Sequence, residues 1–175
     1  MEFDHEELLA LAQHDIEQGD LENALRKLKQ VIRHDLPPIN SLAITAKLYA
    51  RLGLYSHAKV LYQRYLAAEP QSVEIAFELG MVHFDMGDTE TALSYWEKIL
   101  AENPTFPPAL FYAALAFSQK NRMAEAKRNL DVLLQSAAAD NLYFSRAREL
   151  LQGINTQILR HTGNVLASPM RLGSI

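Results

Sequence analysis

The side chains in this chain best suited to chemistry are its six histidines, at positions 5, 14, 34, 57, 83 and 161. Imidazole titrates near neutral pH and ligates transition metals, so histidines one helical turn apart are the pattern to seek. No two of them form the His-Glu-x-x-His spacing of a zinc-binding helix. His5 with Glu6 and Glu7, and His14 with Asp15, offer at most an adventitious pair of ligands; a solvated or partly packed ring accounts for each position. Cysteine is absent, which removes disulfides, thiolate metal sites and thiol nucleophiles together. No Gly-x-Gly-x-x-Gly, phosphate loop or Gly-x-Ser-x-Gly elbow occurs. Carboxylates are numerous, but helical surfaces need them for solubility, and without a pocket they identify no acid–base pair. The expectation is a chain that is not an enzyme and uses no cofactor and no metal.

The charge balance narrows the partners. A formal net charge of −4 with no long run of Lys or Arg lacks the basic face that displaces counterions from phosphates, so no nucleic acid is expected. Arg26, Lys27, Lys29, Arg33 and His34 are locally basic, which a solvated face explains and a docking patch for an acidic partner would also explain. The N-terminal Met1-Glu2-Phe3-Asp4-His5-Glu6-Glu7 has no basic region followed by an apolar stretch. No run approaches the roughly 18 apolar residues of a membrane-spanning helix. These features lead to an expectation of no membrane insertion and a cytoplasmic location.

What could hold any binding surface in place is a repeat. Gly19 and Ala24, Gly53 and Ala58, Gly87 and Ala92, and Asn121 and Ala126 are four turn-then-alanine pairs, each 34 residues after the last. Other columns keep the same period: Leu28, Tyr62, Trp96 and Leu130 are large, and Val31, Tyr65, Ile99 and Leu133 are apolar. Ala12, Ala46, Gly80 and Ala114 are small. Small residues in one column let two helices approach closely. Gly or Asn at the turn tolerates the positive φ that ends many helices, and Asp20 and Asp88 stand where a carboxylate caps the next helix. Pro70 and Pro104 end two of the units. The pattern predicts all-α architecture in antiparallel helix pairs.

With Leu79-Gly80, His83, Gly87-Asp88, Ala92, Trp96, Ile99 and Pro104 forming a near-complete unit, the chain resembles the tetratricopeptide repeat family. The resemblance implies a right-handed superhelical stack, with repeats at 5–38, 39–72, 73–106 and 107–140. Asp15 and His83 depart from the Tyr-like residue the family favours and point to looser helix contacts. Thr45 and Ala113 replace large apolar residues and point to less tight packing. Phe144, Ala147, Leu151, Ile154 and Ile158 recur at helical spacing, which predicts a capping helix over 141–160 that covers the open end of a single domain spanning 1–160. Residues 161–175 have no period and are expected to form a flexible tail.

In the family the first helix of each pair lines a concave groove. Carried over by position, the groove residues include Leu9 and Ile16, then Lys47 and Arg51, then Glu74, Phe77, Met81 and Phe84, then Phe111 and Leu115. Glu74 and Glu78 stand where chaperone-binding members carry a basic clamp, so an acidic chain terminus would be repelled. Phe77, Met81, Phe84, Phe111 and Leu115 are expected to form one apolar patch of the kind that marks a binding surface. Three occupants fit it: a segment of a partner protein or peptide, a second copy in a homo-oligomer, or the chain's own C-terminal helix or tail. The leading function is thus an adaptor or assembly factor that binds an apolar partner segment. The alternatives are a chaperone like those for type III secretion translocators, which Phe106-Pro107-Pro108 to Ala126 somewhat resembles, and a self-associating structural protein.

Overall fold

A computed structural model describes residues 4–34 and 36–166, with side chains as far as Ile158. Among the described residues the secondary structure is helical throughout. The elements are α1 (His5–Gln18), α2 (Leu21–Ile32), α3 (Ile39–Arg51), α4 (Tyr55–Ala68), α5 (Val73–Asp85), α6 (Thr89–Glu102), α7 (Pro107–Gln119), α8 (Met123–Ser136) and α9 (Leu142–Leu166). The first helices of the pairs begin at 5, 39, 73 and 107 and the second at 21, 55, 89 and 123, so the 34-residue period is also the period of the elements.

Local chemistry sets several boundaries. Asp4 and Glu7 form a reciprocal capping box at the start of α1, each carboxylate accepting the other residue's backbone N–H. Asp20, Ser72 and Asp88 accept the N–H groups of Asn23, Ile75 and Thr91, and α7 opens on two prolines, whose missing donors cost nothing in a first turn. Within each pair the first helix ends on a left-handed residue: Gly19 (φ 79°), Gly53 (73°), Gly87 (83°) and Asn121 (60°). The next residue's N–H then reaches back to the carbonyl five residues earlier: Asp20 to Asp15, Leu54 to Tyr49, Asp88 to His83 and Arg122 to Phe117, all at 2.8–2.9 Å. One hydrogen-bonded turn is used four times.

The chain divides into two compact units, residues 1–99 and 100–175. In the first unit α1 packs on α2, α3 on α4, and α3 also closes on α2. Leu9, Ala12, Ala24 and Leu28 form a core that Leu48 of α3 completes. Leu42, Ala46, Tyr49, Ala58, Leu61 and Tyr62 form the next core, completed by Ile75, Leu79 and Val82 of α5. Each of these two pairs thus finishes its core with the following helix, as in a stacked repeat. In the second unit α7 packs on α8, and α9 covers both, burying Ala147 and Ile154.

Columns of small residues bring the paired helices together: Ala12, Ala46, Ala114, Ala24, Ala58, Ala92 and Ala126 are all fully buried. Three expectations need correction. Asp15 ion-pairs with Lys27, and His83 is buried with Nδ1 3.0 Å from a carboxylate oxygen of Asp88, so neither marks a loose contact. Thr45 and Ala113 are fully buried; the Thr45 hydroxyl donates to the Ser41 carbonyl at 2.7 Å, which removes the cost of a polar group in the core. The last helix runs past 160 to Leu166, so residues 161–166 of the expected tail are helical. Gly163 lowers helix propensity without ending the helix. Residues 167–175, the rest of that tail, lie outside the described residues.

Candidate functional site

The third repeat holds the most distinctive surface. On α5, Ile75, Leu79, Gly80, Val82 and His83 are buried, which turns the alternate positions outward. Phe77, Glu78, Met81 and Phe84 are half-buried, and Glu74 and Asp85 are exposed. Three apolar side chains therefore run along one stripe with three carboxylates beside them. Behind the stripe is Trp96 of α6, fully buried, whose ring lies 6.2 Å from Phe77 and 5.7 Å from Phe84. Its indole N–H donates to the Phe77 carbonyl at 3.4 Å. The two phenylalanines are thus backed by a rigid aromatic wall, an arrangement suited to receiving an apolar anchor.

Electrostatics set this face apart. Burial pushes the Glu78 carboxyl above its ordinary range and Glu74 adds to the rise, while Lys47 of α3 opposes it. Burial raises Asp85 as well. Beneath them Tyr62 is 1% exposed, and its hydroxyl has no hydrogen-bond partner among the described residues. Its pKa is raised well above that of a free phenol, first by burial and then by Glu78 and Glu74.

The other expected groove residues fall in different settings. Leu9 is a buried core side chain packed on Ala12, Ala24, Leu28 and Leu48, so it contributes little accessible surface; Ile16 is half-buried against the same cluster. Lys47 and Arg51 are exposed on α3. In the second unit Phe111 and Leu115 are half-buried on α7. Phe111 lies 5.4 Å from the Tyr112 ring and 5.7 Å from Tyr143 of α9, with Tyr112 and Tyr143 6.2 Å apart. The final helix therefore already engages Phe111. Sequence reasoning missed Tyr143, Tyr112, the Tyr62 hydroxyl and the place of Trp96 behind the phenylalanines. Only Trp96 left a trace, in the glycine that replaces alanine at position 80.

Other chemistry is spoken for. Lys27 is taken by Asp15 and Arg26 by the Asn23 side chain. A cavity of about 280 Å³ on α2 is lined by Arg26, Lys29 and Arg33 with Glu22, Leu25 and Gln30. His5 meets His34 edge-on, and His57 lies against Tyr49 with the rings tilted. Among the described residues no group of three or more His, Cys, Asp or Glu could hold a metal ion, and no helix is long and apolar enough to cross a membrane.

Comparison with known proteins agrees with this architecture. Models of the tetratricopeptide repeat match residues 83–151 and 45–105. The photosystem I assembly protein Ycf3 of Prochlorococcus marinus (strain NATL1A) is 31% identical over 121 residues, 63% of this chain and 69% of that protein. Among solved structures, a tetratricopeptide repeat protein from Parabacteroides merdae superposes with a TM-score of 0.75 at 22% identity, over 87% of this chain and 60% of that one. MamA from Desulfovibrio magneticus RS-1 superposes with a TM-score of 0.71 at 19% identity, over 90% of this chain and 96% of its own. At these identities the two structures speak for the fold alone.

Proposed function

The chain belongs to the tetratricopeptide repeat family, and we propose that it is an adaptor or assembly factor holding an apolar segment of a partner protein against α5. Repeats of this type and the relative named as an assembly protein support a protein-interaction role. The observation that carries the finer reading is the stripe of Phe77, Met81 and Phe84, partly exposed and backed by Trp96. Aromatic and Met side chains on a rigid support give large contact area at small conformational cost, which favours them as anchors. The carboxylates at 74 and 78 disfavour an acidic chain end as the ligand. Lys47 and Arg51 are exposed on the neighbouring first helix of the same unit. A cytoplasmic location is part of this reading.

The test is affinity capture from native lysate with wild-type and Phe84→Glu protein in parallel, with circular dichroism on both. The expected result is a partner held by wild type and lost by the variant at unchanged helicity. The same partners on both proteins would overturn the α5 site. Self-association competes with this reading, since Leu142 and Ile158 are exposed on α9. Light scattering over a concentration series separates the two, and a constant monomer mass removes self-association.

A further inference from the structure

The α5 face carries more information than its apolarity. Glu74 and Glu78 are one turn apart, Asp85 is seven residues beyond Glu78, and Phe77, Met81 and Phe84 lie between them on the same side of the helix. Among the described residues none of the three carboxylates hydrogen-bonds or ion-pairs with a side chain. Lys47 is near enough to act on Glu78 through space but makes no ion pair with it. Glu78 is half-buried, a costly place for a carboxylate with no opposite charge in contact. Directly below, the Tyr62 hydroxyl is buried and unpartnered. It sits in the core cluster with Ile75 and Leu79, the residues that follow Glu74 and Glu78, and with Ala46, which precedes Lys47. Three carboxylates without a side-chain partner among the described residues therefore flank the apolar stripe.

From this juxtaposition we propose that the segment held by α5 is basic as well as apolar, presenting Lys or Arg side chains at both ends of an apolar anchor. The inference rests on the α5 docking site argued above and names the chemistry of its occupant. An ammonium carries three donors and a guanidinium five, with no acceptor. One such group between Glu74 and Glu78 supplies the missing opposite charge, in a place where partial burial makes the pairing stronger than at an open surface. A second meets Asp85, about 10 Å along the helix at 1.5 Å per residue. An acidic segment with the same apolar anchor is rejected by the same carboxylates.

The experiment uses the full chain and three N-acetylated, C-amidated peptides sharing one Leu/Phe core, flanked by Lys, Gln or Glu. Each is titrated into ¹⁵N-labelled wild-type protein and into a Glu74→Gln/Glu78→Gln/Asp85→Asn variant, at low and high salt. The Lys peptide should bind wild type at least tenfold more tightly than the Glu peptide at low salt and shift the amides of α5. The preference should shrink at high salt and vanish in the variant, while the Gln peptide binds both proteins alike. Equal affinity for Lys and Glu peptides, or a preference that survives in the variant, overturns the inference while a bound Gln peptide leaves the apolar site standing. If no peptide binds, the α5 docking site itself fails and this inference with it.

Discussion

A Cβ placed on Gly80 would lie 2.5 Å from Nε1 of Trp96 and 3.0 Å from its Cδ1. The smallest member of one repeat column is matched to the largest member of another: alanine shares a core with Leu28 and Tyr62 in the first two repeats, and glycine faces tryptophan here. The constraint is close approach, because Gly80 has no positive φ. Gly80→Ala should destabilise the protein by about 1–3 kcal/mol through overpacking, despite a helix-propensity gain of up to about 1 kcal/mol. In a Trp96→Leu background only the propensity gain should remain, and the sign should reverse. Urea unfolding of the four proteins closes the cycle; an unchanged penalty in the Leu background would break the matched-pair account.

The turn glycines are constrained for a different reason. Nothing lies within 4 Å of a Cβ on Gly53, yet its φ is 73°. Gly53→Ala should cost about 1–2 kcal/mol from backbone conformation alone. Asn121 holds the same conformation at φ 60° with a side chain, so Asn121→Gly should stabilise by at most about 1 kcal/mol. Thermal melts decide both, and a neutral Gly53→Ala would show that the turn relaxes.

Much of this architecture is legible in the sequence, and the reason is physical. A turn that needs positive φ admits few residue types, and helices in close contact admit few sizes, so Gly19 to Asn121 and Ala12 to Ala114 repeat visibly. What is hidden are contacts whose partners change together. One column reads Asp15, Tyr49, His83 and Phe117, and Asp15 and His83 look like departures from a rule. In the structure Asp15 takes Lys27, His83 takes Asp88, and Phe117 takes the Arg122 guanidinium 4.5 Å from its ring centre. Each substitution is answered across the turn or on the paired helix, which spacing alone cannot reveal. Leu9 was unreadable for a related reason. Leu48 of the following pair completes the first core, and that contact between repeats leaves Leu9 buried.

Two carboxylates should respond to pH in opposite senses. Hydrogen bonds from Thr91, with His83 adding to them, hold the Asp88 carboxyl below its ordinary range. A depressed folded-state pKa gives stability that is present above the unfolded value and lost as pH falls through the folded one. Asp88→Ala should therefore be less stable than wild type at pH 7, and the gap should close in acid. Burial holds Glu78 above its ordinary range, so its charged form opposes folding at neutral pH and the penalty is relieved as pH falls through the raised pKa. Glu78→Gln should raise Tm at pH 7 and lose that advantage by about pH 4, near the free glutamate pKa. Melting curves from pH 3 to 8 test both; parallel profiles for the two variants would contradict the assignment. A stabilising Glu78→Gln would also fit a residue kept for binding at some cost to the fold.

The aromatic contact between α7 and α9 bears on how far the α7 face is open to a partner. Tyr143 meets Phe111 at 5.7 Å and Tyr112 at 6.2 Å. Such ring pairs contribute about 0.5–1.5 kcal/mol each beyond area burial. Tyr143→Ala should loosen the first turns of α9, raising amide hydrogen exchange there roughly threefold to tenfold. Amides of α1 to α4 should keep their protection, because the lost contact is local to the second unit. Phe111 would become more accessible in the same variant. If α9 competes with a partner for that ring, Tyr143→Ala should bind the captured partner more tightly while the Phe84→Glu defect persists. Unchanged exchange in α9 would mean that Ala147 and Ile154 hold the helix without help, and that Tyr143 leaves Phe111 as it is.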